Sequence, residues 1–157
     1  MIRIFIDADG CPVKNEVFRV ALRYSLEAYV VSNSRLRIPQ DGLFELVIVD
    51  EVTDAADDWI VDHVKEDDIV VSADIPLAAR CLDKGARVLD PKGRVFTEES
   101  IGSALANREL SAYLRDMGNI TGGPAPFEKR DRSRFLQQMD NLIQAAFRAE
   151  RLRSHHV

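Results

Sequence analysis

Cysteine is scarce in this chain of 157 residues: only Cys11 and Cys81 are present. Two thiols make neither a disulfide framework nor a closed four-ligand zinc site. Long apolar runs are missing too, and none approaches the roughly 18 residues of a membrane span. The N-terminal MIRIFIDADG lacks the apolar core of about 7–15 residues and the small-residue cleavage site of a signal peptide. No internal repeat is visible, and the single linker-like segment is Gly118–Pro126. Disorder as the main state is excluded by the 46% hydrophobic content. These absences predict a cytoplasmic protein with reduced thiols and no membrane partner. What is present suits one domain over 1–157.

The net charge of −5 becomes informative once divided. From Lys129 to Val157 there are seven basic and three acidic residues, so the remainder of the chain carries −9. Between Asp50 and Asp74 stand ten acids and one base, Lys65. The sequence is an acidic body with a basic tail. Solubility alone accounts for an acidic protein unless the acids are placed with purpose.

Hydrophobic patterning alternates strands with helices. Strands are expected at Ile2–Ile6, Ala28–Val31, Leu46–Val49, Ile69–Ser72 and Arg87–Leu89. A helix is expected from Pro12 to Glu27, with Pro12 in its first turn and Val13, Val17, Val20, Ala21 and Tyr24 at helical spacing. A second runs from a cap at Thr53 or Asp54 to about Glu66. A third runs from a cap at Asp74 to Lys84, with Gly85 as C-cap. Ser32–Gly42 reads as a loop and Asp90–Gly93 as a turn. Helices over Glu98–Arg115 and about Asp131–Arg153 follow. Alternation of this kind implies a parallel sheet with right-handed crossovers, and near-continuous apolar strands imply cover on both faces. The expected organisation is an α/β core over 1–97 with a helical extension over 98–157.

Ligands of open α/β sheets bind beyond the carboxyl ends of the strands. There the sequence places Asp7 and Asp9, then Asp50 and Glu51, then Asp74. Carboxylates gathered at one edge repel one another unless they share a cation, and hard oxygen donors favour Mg²⁺ or Mn²⁺. On the intervening helix, Ala56, Trp59, Ile60, His63 and Val64 form the apolar face at 100° per residue. Asp57 lies at the edge of that face, whereas Asp54, Asp58 and Asp62 turn outward. Asp57 is therefore the expected ligand there, with Asp54 or Asp58 as second choice. Asp9, Asp54 and Asp74 read equally as helix caps.

The remaining candidates divide between function and packing. Cys11 precedes a helix, but neighbouring acids oppose a lowered thiol pKa, so both cysteines read as packed thiols. Lys14 and the loop residues Asn33, Ser34, Arg35 and Arg37 could face the cleft and hold phosphates, or form an ordinary polar loop. Arg130, Arg132 and Arg134 could contact a nucleic-acid backbone, dock on the acidic body or be solvated. Arg148, Arg151 and Arg153 are expected in solvent, His155 and His156 at a frayed end, and His63 in the core.

The motifs carry resemblances. IFIDADGCP resembles the first motif of haloacid-dehalogenase-type phosphatases, and VSADIPLAARCLDKGARVL loosely resembles their last. However, only Asp74 stands where that motif carries two acids, no Lys occupies a third-motif position, and no cap insertion is visible. Strand–DAD, TDAADDWI and VVSADIPLA followed by KGARVL resemble the PIN-like nuclease superfamily. There, acids at the ends of strands one and four and on an intervening helix bind divalent metal. More closely, DADGCPVKNEVFRVA, VSNSRLRIP, VTDAADDWIV, VVSADIPLAARCLDKGARVLDPKGRVFT and RDRSRF resemble the YaiI/YqxD family of uncharacterised bacterial proteins over nearly the whole chain. Gly10 stands where that family leads one to expect Ala.

The resemblance implies a three-layer PIN-like domain around a mostly parallel sheet of about five strands. It also implies Mg²⁺- or Mn²⁺-dependent hydrolysis of nucleic acid, with RNA as the expected partner. Asp7, Asp9, Asp57 and Asp74 would be the metal and catalytic positions, with Asp58 as a further metal candidate. Lys14, Asn33, Ser34, Arg35 and Arg132 are the substrate-binding candidates. The other readings are a phosphatase, and an RNA-binding protein without turnover.

Overall fold

The computed structural model describes residues 1–118 and 125–154. The strands are β1 (Arg3–Asp7), β2 (Glu27–Ser32), β3 (Phe44–Ile48), β4 (Ile69–Val71), β5 (Arg87–Leu89) and β6 (Val95–Phe96). The helices are α1 (Lys14–Tyr24), α2 (Ala55–His63), α3 (Ile75–Asp83), α4 (Glu98–Asp116) and α5 (Lys129–Ser154). One sheet has the order β3-β2-β1-β4-β5-β6. All neighbours in it are parallel except β5 and β6.

This order fixes where a ligand can sit. The chain leaves β1 for β2 and β3 on one side, then returns to β4 on the other. Direction reverses between β1 and β4, so the crevice beyond their carboxyl ends is the topological switch point of the sheet.

Strand side chains alternate between two cores. Ile4 and Ile6 of β1 pack with Val17, Val20 and Ala21 of α1 and with Phe135, Met139 and Ile143 of α5. Phe5 points the other way, to Ile60 of α2 and to Leu77, Ala78 and Cys81 of α3. The period of two puts successive residues on opposite faces, and both faces are covered by helices, as the apolar runs predict. The C-terminal helix is part of this architecture, because α5 fills the core under α1. By contrast, α4 buries none of its residues.

Two helix ends and one added strand differ from expectation for identifiable reasons. Helix α1 stops at Tyr24, because Ser25 turns left-handed at φ 55° and Glu27 enters β2. Helix α2 stops at His63 rather than near Glu66. The Asp68 carboxylate takes the Lys65 amide at 2.8 Å, and Val64 is already extended. The sixth strand, β6, is new. It is a two-residue partner of β5, too short to show any periodicity. The predicted turn before it is present: one Asp90 oxygen accepts the amides of Lys92 at 3.0 Å and Arg94 at 2.8 Å. Most of Gly118–Pro126, and both His155 and His156, lie outside the described residues. Among the described residues, no helix is long and apolar enough to cross a membrane.

Candidate active site

Four acids from three parts of the chain meet at the switch point. Asp7 is the last residue of β1. The hydroxyl of Ser72, just past β4, donates to Asp7 Oδ2 at 2.8 Å. The same Ser72 oxygen accepts the Asp74 amide at 3.0 Å. Asp74 caps α3, its Oδ1 accepting the Leu77 amide at 3.0 Å. It thus serves both alternatives read from the sequence, cap and cleft acid. Asp9 lies in the turn after β1 and accepts the Ser32 hydroxyl at 2.9 Å and the Asn33 amide at 3.1 Å. It does not cap α1, whose N-cap is Val13 without a side-chain bond. Between Asp9 and the helix, Gly10 takes φ +78°. Glycine adopts this conformation without a steric penalty, which suits it to a position where the family pattern led us to expect Ala.

Asp57 completes the group from the first turn of α2. One cavity of about 250 Å³ is lined by Asp7, Asp9, Asp74, Ser72 and Cys11, among others. An adjoining one of about 280 Å³ is lined by Asp7, Asp9, Asp57 and Asp74, together with Asn33, Asp50, Glu51 and Asp54. Among the described residues, neither cavity has a Lys, Arg or His in its lining.

The electrostatic consequence falls mainly on Asp57. Partial burial, and then the charges of Asp74, Asp7 and Asp54, push its carboxyl up from 3.8 to about 6, against a smaller opposing effect of Arg80. Asp7 is also raised, first by burial, which the Ser72 bond partly offsets, and then by Asp74 and Asp9. Both shifts have the sign of burial reinforced by neighbouring like charge. The donor set is carboxylate oxygen throughout, the chemistry of a hard divalent cation. Among the described residues, no three His, Cys, Asp or Glu side chains stand close enough to chelate an ion as placed. The site therefore matches such a cation in charge and donor type, without a preformed cage.

The other candidates are distributed differently. Asp58 turns away and pairs with Arg80 at 2.9 Å. Asp54 holds the N-cap position of α2 with a left-handed φ of 69°, but its side chain makes no capping bond. Of the loop residues, Asn33 lines the cleft, whereas Ser34 and Arg35 are exposed and line neither cavity. Lys14 is turned inward, its ammonium donating to the carbonyls of Ala8 at 3.2 Å and Cys11 at 2.8 Å. Arg132 docks on the body through buried Glu16, and its guanidinium lies 5.0 Å from the centre of the Phe127 ring.

One expectation is corrected. His63 is exposed rather than buried. At the end of α2 its ring stacks on Trp59 at 3.8 Å and bonds the Trp59 carbonyl at 2.7 Å. Arg153 is exposed, as expected, and also pairs with Asp67. Both cysteines are packed thiols, and burial raises Cys11 and pushes Cys81 to about 12.

Sequence reasoning missed Ser32 and Ser72, which are 0% and 2% exposed and orient Asp9 and Asp7. A signal was present. The tripeptide Val-Val-Ser recurs at 30–32, where its Ser directly follows one predicted strand, and at 70–72, where it closes another. A hydroxyl ending an otherwise apolar run must find a partner once buried.

Comparison with known proteins agrees over almost the whole chain. A UPF0178 protein of Rhodospirillum centenum is 56% identical over 152 residues, covering 94% of this chain and 99% of its own length. A UPF0178 protein of Paramagnetospirillum magneticum is 52% identical over 148 residues, covering 94% and 98%. One from Caulobacter vibrioides is 50% identical over 146 residues, covering 93% and 95%. No solved structure matches. The family profile described as "Uncharacterized BCR, YaiI/YqxD family" matches residues 5–145, and the chain belongs to that family.

Proposed function

We propose that this protein is a divalent-metal-dependent nuclease acting on RNA. One observation carries the reading: Asp7, Asp9, Asp57 and Asp74 line a cleft at the switch point that has no basic lining residue among those described. Uncompensated carboxylates cost stability, so their concentration at a ligand-binding edge argues for a cation supplied from outside. The resemblance to PIN-like nucleases supports the same assignment, because their metal acids lie at the ends of strands one and four and on the helix between. Asp7, Asp9, Asp57 and Asp74 would hold Mg²⁺ or Mn²⁺, which would supply Lewis-acid chemistry at a phosphodiester. The chain's own groups divide the remaining work. Ser72 and Ser32 fix Asp7 and Asp9, the cap bond fixes Asp74, and Asn33 offers the cleft an amide side chain.

The test is cleavage of labelled single-stranded RNA with Mn²⁺, Mg²⁺ or EDTA. Cleavage should require metal and fall at least about 100-fold in Asp7→Asn. Ser72→Ala should cost about 10–100-fold through Asp7. Metal-independent cleavage, or an Asp7→Asn enzyme of full activity, overturns the reading. Turnover of a small phosphomonoester in place of RNA would instead make the protein a phosphatase.

A further inference from the structure

A groove of about 580 Å³ lies beside the acid cleft, lined by Gly10, Pro12, Ala73, Asp90, Pro91, Lys92, Arg94, Ala125 and Phe127. Gly10, Ala73 and Pro91 are shared with the cavity that holds Asp7, Asp9 and Asp74. The two are therefore continuous over one saddle. Their chemistry differs: the cleft is lined by several carboxylates and, among the described residues, no cation, whereas the groove has a largely apolar lining with two cations and one carboxylate, Asp90, whose side chain is engaged by the turn amides. A concave apolar site of this volume falls within the range of small-ligand sites, roughly 300–1,000 Å³.

The walls of the groove are built. Asp90 fixes the β5–β6 turn through the amides of Lys92 and Arg94. Gly93 presses that turn onto α5, where a Cβ would meet the Arg134 backbone at 2.8 Å. Opposite, the Lys92 ammonium holds the Ala125 carbonyl at 2.7 Å. Arg132 joins half-buried Phe127 to Glu16 of α1. Arg94 is exposed, and its side chain has no ion pair among the described residues.

We infer that this groove binds one nucleotide of a single-stranded nucleic acid, with its base against Phe127 and Pro91 and its phosphate at Arg94. The inference rests on the nuclease reading and adds the substrate's form and direction of approach. An apolar lining with a free cation suits a unit that carries both a flat ring and a phosphate. A base can enter a concave site only when unstacked, which favours single strands over duplex. On the far side of the acids, Asp50, Glu51 and Asp54 line the cleft. A polyanion therefore approaches from the groove side. Arg132, a substrate candidate in the sequence, becomes a positioning residue that acts through Phe127.

The experiment is fluorescence anisotropy of a 5′-labelled hexauridylate, and of an RNA duplex of equal length, with the full chain in Ca²⁺ and in EDTA. Cleavage with Mn²⁺ is followed in parallel. Arg94→Glu should weaken hexauridylate binding about tenfold and remove about one phosphate from the salt dependence. Phe127→Leu should weaken binding with little change in salt dependence, and circular dichroism will check that it folds. Asp74→Asn should bind as well as the unaltered chain or better, while losing cleavage. Duplex binding at least as tight as hexauridylate binding, or Arg94→Glu and Phe127→Leu both within twofold of the unaltered chain, overturns the groove and leaves the nuclease standing. Groove-dependent binding without metal-dependent cleavage overturns the nuclease and keeps the groove. No binding of hexauridylate under either condition overturns the groove assignment.

Discussion

The two ends of the sheet treat the same residue type in opposite ways. At the amino ends of β4 and β5, Asp68 meets the Arg3 guanidinium at 3.0 Å and the amides of Arg3 and Lys65 at 2.9 and 2.8 Å. Asp67 is held there by Arg87 at 3.2 Å and by Arg153. At the carboxyl ends, Asp7, Asp9 and Asp74 accept, among the described residues, only hydroxyls and backbone amides. Asp57 has no ion pair among the described residues; the salt bridges run elsewhere, as Asp58 to Arg80. An acid that serves architecture comes with its cation, because breaking a buried pair is costly. An acid without one keeps its field for something outside the chain.

The sharpest break of this comparison is to remove one acid from each end. Asp68→Ala orphans two amides and leaves the Arg3 guanidinium without its counterion, bonded to the His63 carbonyl alone, and should cost about 3–5 kcal/mol of unfolding free energy in urea titrations. Asp74→Asn should cost under about 1 kcal/mol, since Asn caps a helix as well as Asp. Equal losses would mean that both ends are architectural.

Asp57→Asn should go further and stabilise the metal-free protein. It removes a charge that burial, Asp74, Asp7 and Asp54 all oppose. Water screens part of that charge, so the gain is under about 1 kcal/mol, or about 2–4 °C in a thermal melt. Mn²⁺ should raise the melting temperature of the parent protein and do so less in this variant. The sign with pH follows from linkage. With its carboxyl raised from 3.8 to about 6, the folded state binds more protons than the unfolded between those values. The contribution of Asp57 to stability then falls as pH rises through that window. The melting difference between Asp57→Asn and the parent should be full above about pH 6 and vanish below about pH 4. A difference independent of pH would assign the effect to packing.

How much of this was visible beforehand depended on range. Strands β1, β3 and β4 and the acids that follow them were legible because apolar runs and Asp are local features. Helical phase selected Asp57 over Asp58, since both lie on one helix with a buried face. What escaped depends on contacts distant in sequence. Nothing local tells that Ser72 will reach back 65 residues to Asp7, or that Arg132 will find Glu16 across 116. His63 misled because phase holds only while the helix continues, and α2 ends there. Arg153 faces solvent as expected, but its pairing with Asp67, 86 residues away, had no local signal.

The smallest expected effect refines the comparison within α2 itself. Asp57 and Asp58 are neighbours in sequence, yet Asp58 has the Arg80 guanidinium at 2.9 Å with side chains 60% and 44% exposed. An exposed pair of this kind contributes about 0.2–1 kcal/mol at most. Asp58→Asn should therefore lower stability slightly, opposite in sign to Asp57→Asn, and the loss should shrink in high salt. The Mn²⁺-induced rise in melting temperature should survive in Asp58→Asn. Arg80→Gln, in contrast, removes the one cation that offsets the crowding at Asp57, so it should lower metal-free stability while tightening Mn²⁺ binding. If Asp58→Asn abolished the Mn²⁺ response as Asp57→Asn does, the boundary between paired and unpaired acids would have to move one residue along the helix.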